Sequence, residues 1–515
     1  MEGNTLLPNI EIERAVTPFL GENKTLKDIE GAKAQLERVY HTHGYKTALV
    51  NIPPQQISAG VVRLIVLEGA VGKLQITGSR YHSLAIIREK LAQLSPDTVP
   101  NFDEVQKELG EVNRSTDLRV TPVLRASETP GKVDVELQVN DQLPFHAILE
   151  ANNRYSANTS HPRVIGELRY DNLFQRSQSF SFQYQVAPVR IPDAKIWSFS
   201  YVIPTSSTVW ALYAVHSDSN VAAVGTLAVI GKGNIYGIRM IQPLPTESRD
   251  FTHTFTAGID YKDFGQVVLL QDDPNATGSG GTGTAGASGP ATISSPVKYA
   301  PFSLDYSASW YGAAPDEQHR DAATPGSRSN TTLDLNFNFL VRRLSSGYQR
   351  FAAKRAGAGG SYLFLRPSLS REQVLPGRWS LAARLDGQIS TGPLINNEQF
   401  SAGGADTVRG YTEAERLGDD GFHATLELRT PQLLAHRFQS VEQSYVFIFG
   451  DTAKLWTQQP LKGQDERFIL SSAGVGLRFK AAGLTVALDG ARILRDGFVT
   501  KSGRYRGLFK VSYSY

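Results

Sequence analysis

From Pro144 to the C-terminus the chain alternates apolar and polar residues with a period of two. Phe180, Phe182 and Tyr184 are interleaved with Ser179, Ser181, Gln183 and Gln185, and Trp197, Phe199, Tyr201 and Ile203 continue the theme. Later runs include Phe251 to Phe255, Phe302-Leu304-Tyr306-Ala308-Trp310, Leu333-Leu335-Phe337-Phe339, Trp379-Leu381-Ala383-Leu385 and Leu484-Val486-Leu488. Successive side chains of a strand point to opposite faces, so the pattern predicts strands with one apolar, aromatic face and one carrying Ser, Thr, Gln, Asn, Asp and Arg. A soluble sandwich shares the period, but it buries its apolar faces in its own core and rarely needs so many uninterrupted repeats. The expectation for 143–515 is a transmembrane antiparallel β-barrel with a wet lumen; at roughly 23 residues per strand with its turns, about sixteen strands fit.

The first 142 residues follow a different rhythm. In 71–142, Lys73 to Thr77 alternates, Leu84, Ile87, Leu91 and Leu94 fall at helical spacing, and so do Phe102, Val105, Leu109 and Val112. Leu118 to Leu124 and Val133 to Val139 alternate as strands about a Pro130-Gly131 turn, giving a β-α-α-β-β module. Residues 1–70 repeat the order: Ile12, Val16, Phe19 and Leu20 mark one helix, Ile29, Ala32, Leu36, Val39 and Tyr40 a longer one stopping at Gly44, and strands follow at Lys46 to Ile52 and Val61 to Leu67. Gly3-Asn4 echoes Gly78-Ser79, and the strand beginning Gly60-Val61 echoes the one beginning Gly131-Lys132. Only Met1 and Glu2 precede Gly3, so the first module is expected to lack its opening strand.

Composition narrows the class. A chain of 515 residues has a prior of about two to four domains. No apolar stretch of about 18 residues exists, so no membrane-spanning helix is expected, a test that a barrel escapes. The absence of cysteine suits an oxidising compartment, and a net charge of +3 carries no nucleic-acid footprint. Met1 to Pro8 has neither a basic nor an apolar region of a signal peptide, so either the export signal lies outside this sequence or the membrane reading fails.

Asn275 to Ser295 is a Gly, Thr, Ser and Ala tract that reads as a mobile extracellular loop. It holds Gly281-Thr282-Gly283-Thr284-Ala285-Gly286, formally a dinucleotide fingerprint, but without the strand and helix that such a turn needs. His41 and His43 lie two apart at a helix end, a spacing that does not put both on one face for a metal. No His-Glu-x-x-His, Gly-x-Ser-x-Gly or Walker loop occurs. The chain is read as a non-enzyme without cofactor or metal.

Gly403-Gly404-Ala405-Asp406-Thr407-Val408-Arg409-Gly410-Tyr411 and the terminal Leu508-Phe509-Lys510-Val511-Ser512-Tyr513-Ser514-Tyr515 resemble the Val-Arg-Gly-Tyr loop and aromatic end strand of the outer-membrane superfamily that assembles barrels or secretes proteins. With two modules that look like POTRA domains, and with Tyr40-His41-Thr42-His43-Gly44-Tyr45, Pro53-Pro54-Gln55-Gln56-Ile57 with Gly60, and Asn172-Leu173-Phe174, the chain resembles a two-partner secretion transporter of the TpsB type. The resemblance implies an outer-membrane location with the modules in the periplasm. The implied partners are an unfolded TpsA-type exoprotein of haemolysin or adhesin kind, outer-membrane lipid, and the barrel assembly machinery during biogenesis. An exposed module strand would bind exoprotein by β-augmentation, and Phe509, Val511, Tyr513 and Tyr515 would form the assembly signal.

In that superfamily the loop, here around 400–417, folds into the lumen and its arginine pairs with a wall aspartate. The matching positions are Val408, Arg409, Gly410 and Tyr411 on the loop, and Phe449, Gly450 and Asp451 on the wall. A guanidinium inside a barrel needs a carboxylate, because a lone desolvated charge costs several kcal/mol. Asp451 shares parity with Phe449, and Tyr445 to Phe449 is apolar on both faces, as suits a wall covered from within. Asp406 is a competing partner. Rival readings are a barrel-assembly insertase, a passive porin, against which the modules argue, and a soluble β-rich protein that would expose long aromatic faces.

Overall fold

The computed structural model describes residues 1–57, 60–219, 221–224, 227–248, 250–265, 267–269, 292–294, 296–312, 328–434, 438 and 440–515. Of the Gly- and Thr-rich tract 275–295, only 292–294 fall among them, so the loop expected there and its glycine fingerprint lie outside the described residues. The chain divides into two compact units, Met1–Phe145 with Asp171–Gln178, and His146–Tyr170 with Ser179–Tyr515.

The first unit contains two modules whose similarity extends to individual atoms. Gly3 has φ +86° and Gly78 φ +89°; a Cβ on Gly3 would lie 2.3 Å from the Val66 carbonyl oxygen, and one on Gly78 would lie 2.2 Å from that of Val139. Only glycine tolerates that approach at a positive φ. Two residues beyond each of those valines stands a carboxylate that gathers the N–H groups following the glycine. Glu68 accepts from Thr5 and Leu6 at 2.8 and 3.1 Å, and Asp141 from Arg80, Tyr81 and His82 at 2.9, 2.7 and 3.0 Å.

In the first module the helix Leu26–Thr42 starts on a capping box, with Asp28 accepting the Thr25 N–H at 2.8 Å, and buries Ala32, Leu36 and Tyr40. Gly44, at φ +88°, ends that turn. Glu2, just before Gly3, forms one parallel bridge to Ile65. The paired strands Ala48–Asn51 and Ile65–Glu68 are shorter than the alternation suggests. In the second module, Ala70–Thr77 lies parallel to Lys132–Asp141, which pairs antiparallel with Leu118–Ala126. The spacing of Leu84, Ile87, Leu91 and Leu94 hides a break: the α-helix Leu84–Lys90 gives way at Leu91 (φ −113°, ψ 56°) to the 3-10 turn Ala92–Leu94. Ile87, Leu91 and Leu94 are nevertheless buried.

The second unit is a closed barrel of sixteen antiparallel strands among the described residues, from Phe145–Asn152 to Tyr505–Ser514. These two strands close it, in register from Lys510 opposite Asn152 to Ser514 opposite Ile148. One strand is interrupted: Val297–Tyr299 and Phe302–Tyr311 both pair with Phe251–Gly265, and Pro301, which has no N–H to give, sits in the gap. A two-residue hairpin joins Arg467–Ala481 to Leu484–Ile493 through Ala482 and Gly483, with φ +48° and +81°, the geometry that matches strand twist. Large apolar side chains such as Trp210, Phe337, Ile448 and Val475 lie exposed on the outer face, and among the described residues no helix is long and apolar enough to cross a membrane.

Candidate functional site: a loop anchored inside the barrel

Loop 391–419 folds against the inward faces of three strands, Val441–Trp456, Arg467–Ala481 and Leu484–Ile493. Two short pieces of it, Phe400–Ala402 and Arg416–Gly418, pair with each other and pinch the segment between them into a compact arm. Val408 and Tyr411 are wholly buried in one apolar cluster with Ala453, Leu455, Leu470 and Ile493. The same wall strand turns Ile448, 57% exposed, the other way, so the arm occupies the interior. The arm's turns need glycine: Gly403 has φ +107°, and a Cβ there would meet the Thr412 carbonyl oxygen at 2.6 Å.

Arg409 is the arm's ionic anchor. Its Nε donates to Asp451 Oδ2 and its Nη2 to Asp451 Oδ1, both at 2.8 Å, and its own backbone N–H reaches Oδ2 at 3.0 Å. Arg409 and Asp451 are 4% and 3% exposed. The guanidinium carbon stands 3.5 Å above the Phe449 ring centroid and 5.6 Å from that of Phe447. Phe449 and Asp451 therefore share a face, and Gly450 between them points outward. Asp406 goes elsewhere, pairing with Arg154.

Sequence reasoning missed much of this site. Arg409 Nη1 also donates to Glu427 at 2.8 Å, and Glu427 in turn holds Arg429 at 2.7 Å. Arg478 pairs with Asp489 at 2.8 Å, and Asp489 lies 4.0 Å from Arg409. Each buried charge in this lattice thus has an opposite neighbour, which is the condition for keeping charges in a low-dielectric interior. Strand parity was the available signal, since Glu427 stands opposite Phe449 once the register is known.

Three further contacts hold the arm. The Tyr411 hydroxyl lies 2.6 Å from the Arg495 carbonyl oxygen and 3.0 Å from that of Ser471, and accepts the Ser471 N–H at 3.2 Å. Glu415 accepts from Thr412 at 2.9 Å and from the Val499 and Thr500 N–H groups at 3.1 and 2.9 Å, stapling the arm to loop 494–504. Asp419, at the arm's end, pairs with Arg355 of loop 341–361 and accepts the N–H groups of Leu394 and Gln458 at 2.8 and 2.7 Å. The end strand carries Phe509, Val511 and Tyr513 as an exposed stripe, and Tyr515 exchanges backbone hydrogen bonds with Ala147 at 2.9 and 3.2 Å.

Residues 1–69 match the family described as POTRA domain, ShlB-type. Residues 342–479, which hold both Arg409 and Asp451, match the family described as haemolysin secretion/activation protein ShlB/FhaC/HecB. Both matches, and the relatives HuxB and CdiB below, are to two-partner secretion transporters of the TpsB type. Heme/hemopexin transporter protein HuxB of Haemophilus influenzae is 21% identical over 485 residues, 92% of this chain and 78% of that protein. The fold is that of CdiB from Escherichia coli (TM-score 0.63, 16% identity, 100% of this chain and 89% of that one). BamA from Haemophilus ducreyi lacking POTRA domains 1–3 shares it (TM-score 0.57, 14% identity, 100% and 98%). A transporter of this family is an outer-membrane secretion pore that works with a TpsA-type exoprotein, and its known members are transporters, not enzymes.

Proposed function

We propose that the two modules lie in the periplasm and take up one unfolded exoprotein of haemolysin or adhesin type, and that the arm carrying Arg409 sets the conducting state of the barrel. The observation that carries this reading is the anchor itself: a buried Arg409–Asp451 pair inside a barrel, beside a cavity lined largely by polar residues. A cavity of about 750 Å³ lies beside the arm, lined by Asp305, Asn336, Asn338, Arg384 and Thr407 among others. Side chains of both signs there let an unfolded chain slide without one strong binding site. The periplasm offers no ATP, so folding of the exported chain outside is the proposed driving force. The exposed stripe of Phe509, Val511 and Tyr513 would meet lipid, and with Tyr515 it would be read by the assembly machinery during insertion.

Cargo release into the medium tests the reading. The chain is expressed behind a signal peptide beside candidate large exoproteins, with and without Arg409→Ala. Release that depends on the chain and falls in the variant supports the proposal. No release, with fewer folded barrels in the outer membrane on deletion, favours a barrel-assembly role, which the shared BamA fold accommodates.

A further inference from the structure

We infer that the mouth of the barrel, where loops 341–361, 391–419 and 457–466 meet, holds an oxyanion-binding site built on Lys354 and Arg416. The short helix Tyr348–Lys354 is fixed there by Phe351, 1% exposed and edge-on to Tyr299 at 5.4 Å between ring centroids. Its last residue, Lys354, lines a cavity of about 650 Å³ together with Arg416, Asn396, Gln459, Gln464 and Phe468.

Many cations elsewhere in the barrel are matched by a carboxylate, and the buried Arg163 and Arg366 are answered by neutral acceptors of the chain. Arg355 faces Asp419, Arg409 faces Asp451, Arg429 faces Glu427, Arg478 faces Asp489, Arg239 faces Asp260, and Lys262 faces Glu398. Among the described residues neither Lys354 nor Arg416 has a carboxylate partner. Glu415, the carboxylate on that lining, spends its oxygens on Thr412, Val499 and Thr500. Arg416 is instead held flat, its guanidinium carbon 4.3 Å from the Phe468 ring centroid and 5.2 Å from that of Phe498. Stacking on ring faces fixes the plane of a guanidinium and leaves its edge N–H groups for an acceptor. Among the described residues Lys354 has only the Phe264 ring, at 5.9 Å, and burial pulls its ammonium pKa down to about 8.

Two cations drawn partly out of water against one cavity, with no anion of the chain to answer them, are stabilised by an anion from outside. A carboxylate or phosphate suits the pair, offering several acceptor oxygens to a planar fork and a point charge together. Two sources present that chemistry: free phosphate, and acidic side chains of a polypeptide leaving the barrel. The site rests on the cavity and its charges, so its binding test is independent of whether the chain secretes.

The test uses the full chain in detergent micelles with its lysines ¹³C-dimethylated, the Lys354 resonance being identified by its loss in Lys354→Arg. Inorganic phosphate and a hexaglutamate peptide are titrated separately at constant ionic strength. The expected result is a saturable shift of that resonance with at least one of them, a rise in its apparent pKa, and binding about tenfold weaker in Arg416→Gln. Saturation by phosphate alone assigns a free anion, and saturation by the peptide alone assigns carboxylates of an emerging chain. Arg416→Lys, which keeps the charge, replaces Arg416→Gln if that variant fails to fold, and is expected to bind at an intermediate level. No shift with either probe, or a linear one unchanged by the Arg416 variant, overturns the site.

Discussion

Arg409 meets Asp451 through three hydrogen bonds, two from the guanidinium at 2.8 Å and one from its own backbone N–H at 3.0 Å. The backbone bond matters because it fixes the arm's path as well as its charge. Removing the guanidinium leaves Asp451 and Glu427 buried with less compensation, a situation that costs about 3–5 kcal/mol for a broken buried pair. Arg409→Ala is expected to unseat the arm and impair secretion while the barrel still inserts, as read by exoprotein in the medium and by heat-modifiable electrophoretic mobility. Arg409→Ala and Asp451→Ala combined should be little worse than either alone, because the two changes remove one interaction. Additive losses would separate the residues.

Tyr411 contributes a different kind of restraint. Its ring is fully buried, and its hydroxyl bridges the wall at Ser471 and loop 494–504 at Arg495. Tyr411→Phe keeps the ring and leaves those backbone groups short of a partner, a cost of about 1–3 kcal/mol. Hydrogen exchange at the Ser471 amide should rise in this variant, with secretion reduced less than in Arg409→Ala. Unchanged exchange would show that water replaces the hydroxyl.

The alternation of Phe180 to Gln185 and its successors is visible in sequence because a lipid-facing strand must expose an apolar side chain at every second position, whatever its register. Register itself is not written locally. Glu427 and Asp489 reach Arg409 only because neighbouring strands are staggered as they are, and that stagger is set by closure of the whole barrel. Arg409 and Asp451 came from a family pattern; composition would have left Arg409 a solvated turn residue. Asp419 was overlooked for a local reason, since Leu417-Gly418-Asp419-Asp420 reads as a turn. The break at Leu91 was equally silent, because the leucines keep their buried side through it and hydrophobic spacing reports only the side.

Gly410 has no slack. Its φ is +95°, and a Cβ would sit 3.1 Å from the Ala491 Cβ and 3.2 Å from Ile493 Cγ1, on the wall beneath the arm. Gly410→Ala thus combines a left-handed backbone with a tight contact at the residue next to the anchor. Destabilisation of about 1–3 kcal/mol is expected, seen as increased protease cleavage within 403–415 in the full chain. Gly463 also has a positive φ, +88°, but open space around it. Gly463→Ala carries only the backbone cost and should leave cleavage of 403–415 unchanged.

The carboxylate of Asp141 makes the second module sensitive to acid. Burial pushes its pKa up, but the N–H groups of Tyr81, Arg80 and His82 and the His82 ring outweigh burial and hold it below the ordinary value. A carboxyl depressed in the folded state adds stability that is fully present above its unfolded pKa, about 3.9, and is lost as pH falls through the folded value. Amides of 79–82 in the full chain should therefore stay protected from hydrogen exchange at about pH 5 to 7, roughly one unit or more above that reference, and lose protection at lower pH. Asp141→Asn presents one acceptor oxygen to donors that now share two, and its amide adds N–H groups facing N–H groups. The same amides should exchange faster in this variant even at neutral pH, and their protection should no longer depend on acid in that window. If Asp141→Asn retained the acid response of the parent, the titrating group would not be Asp141; Glu68 of the first module, whose pKa is likewise depressed because the Thr5 and Leu6 donors outweigh its burial, is one other such carboxylate.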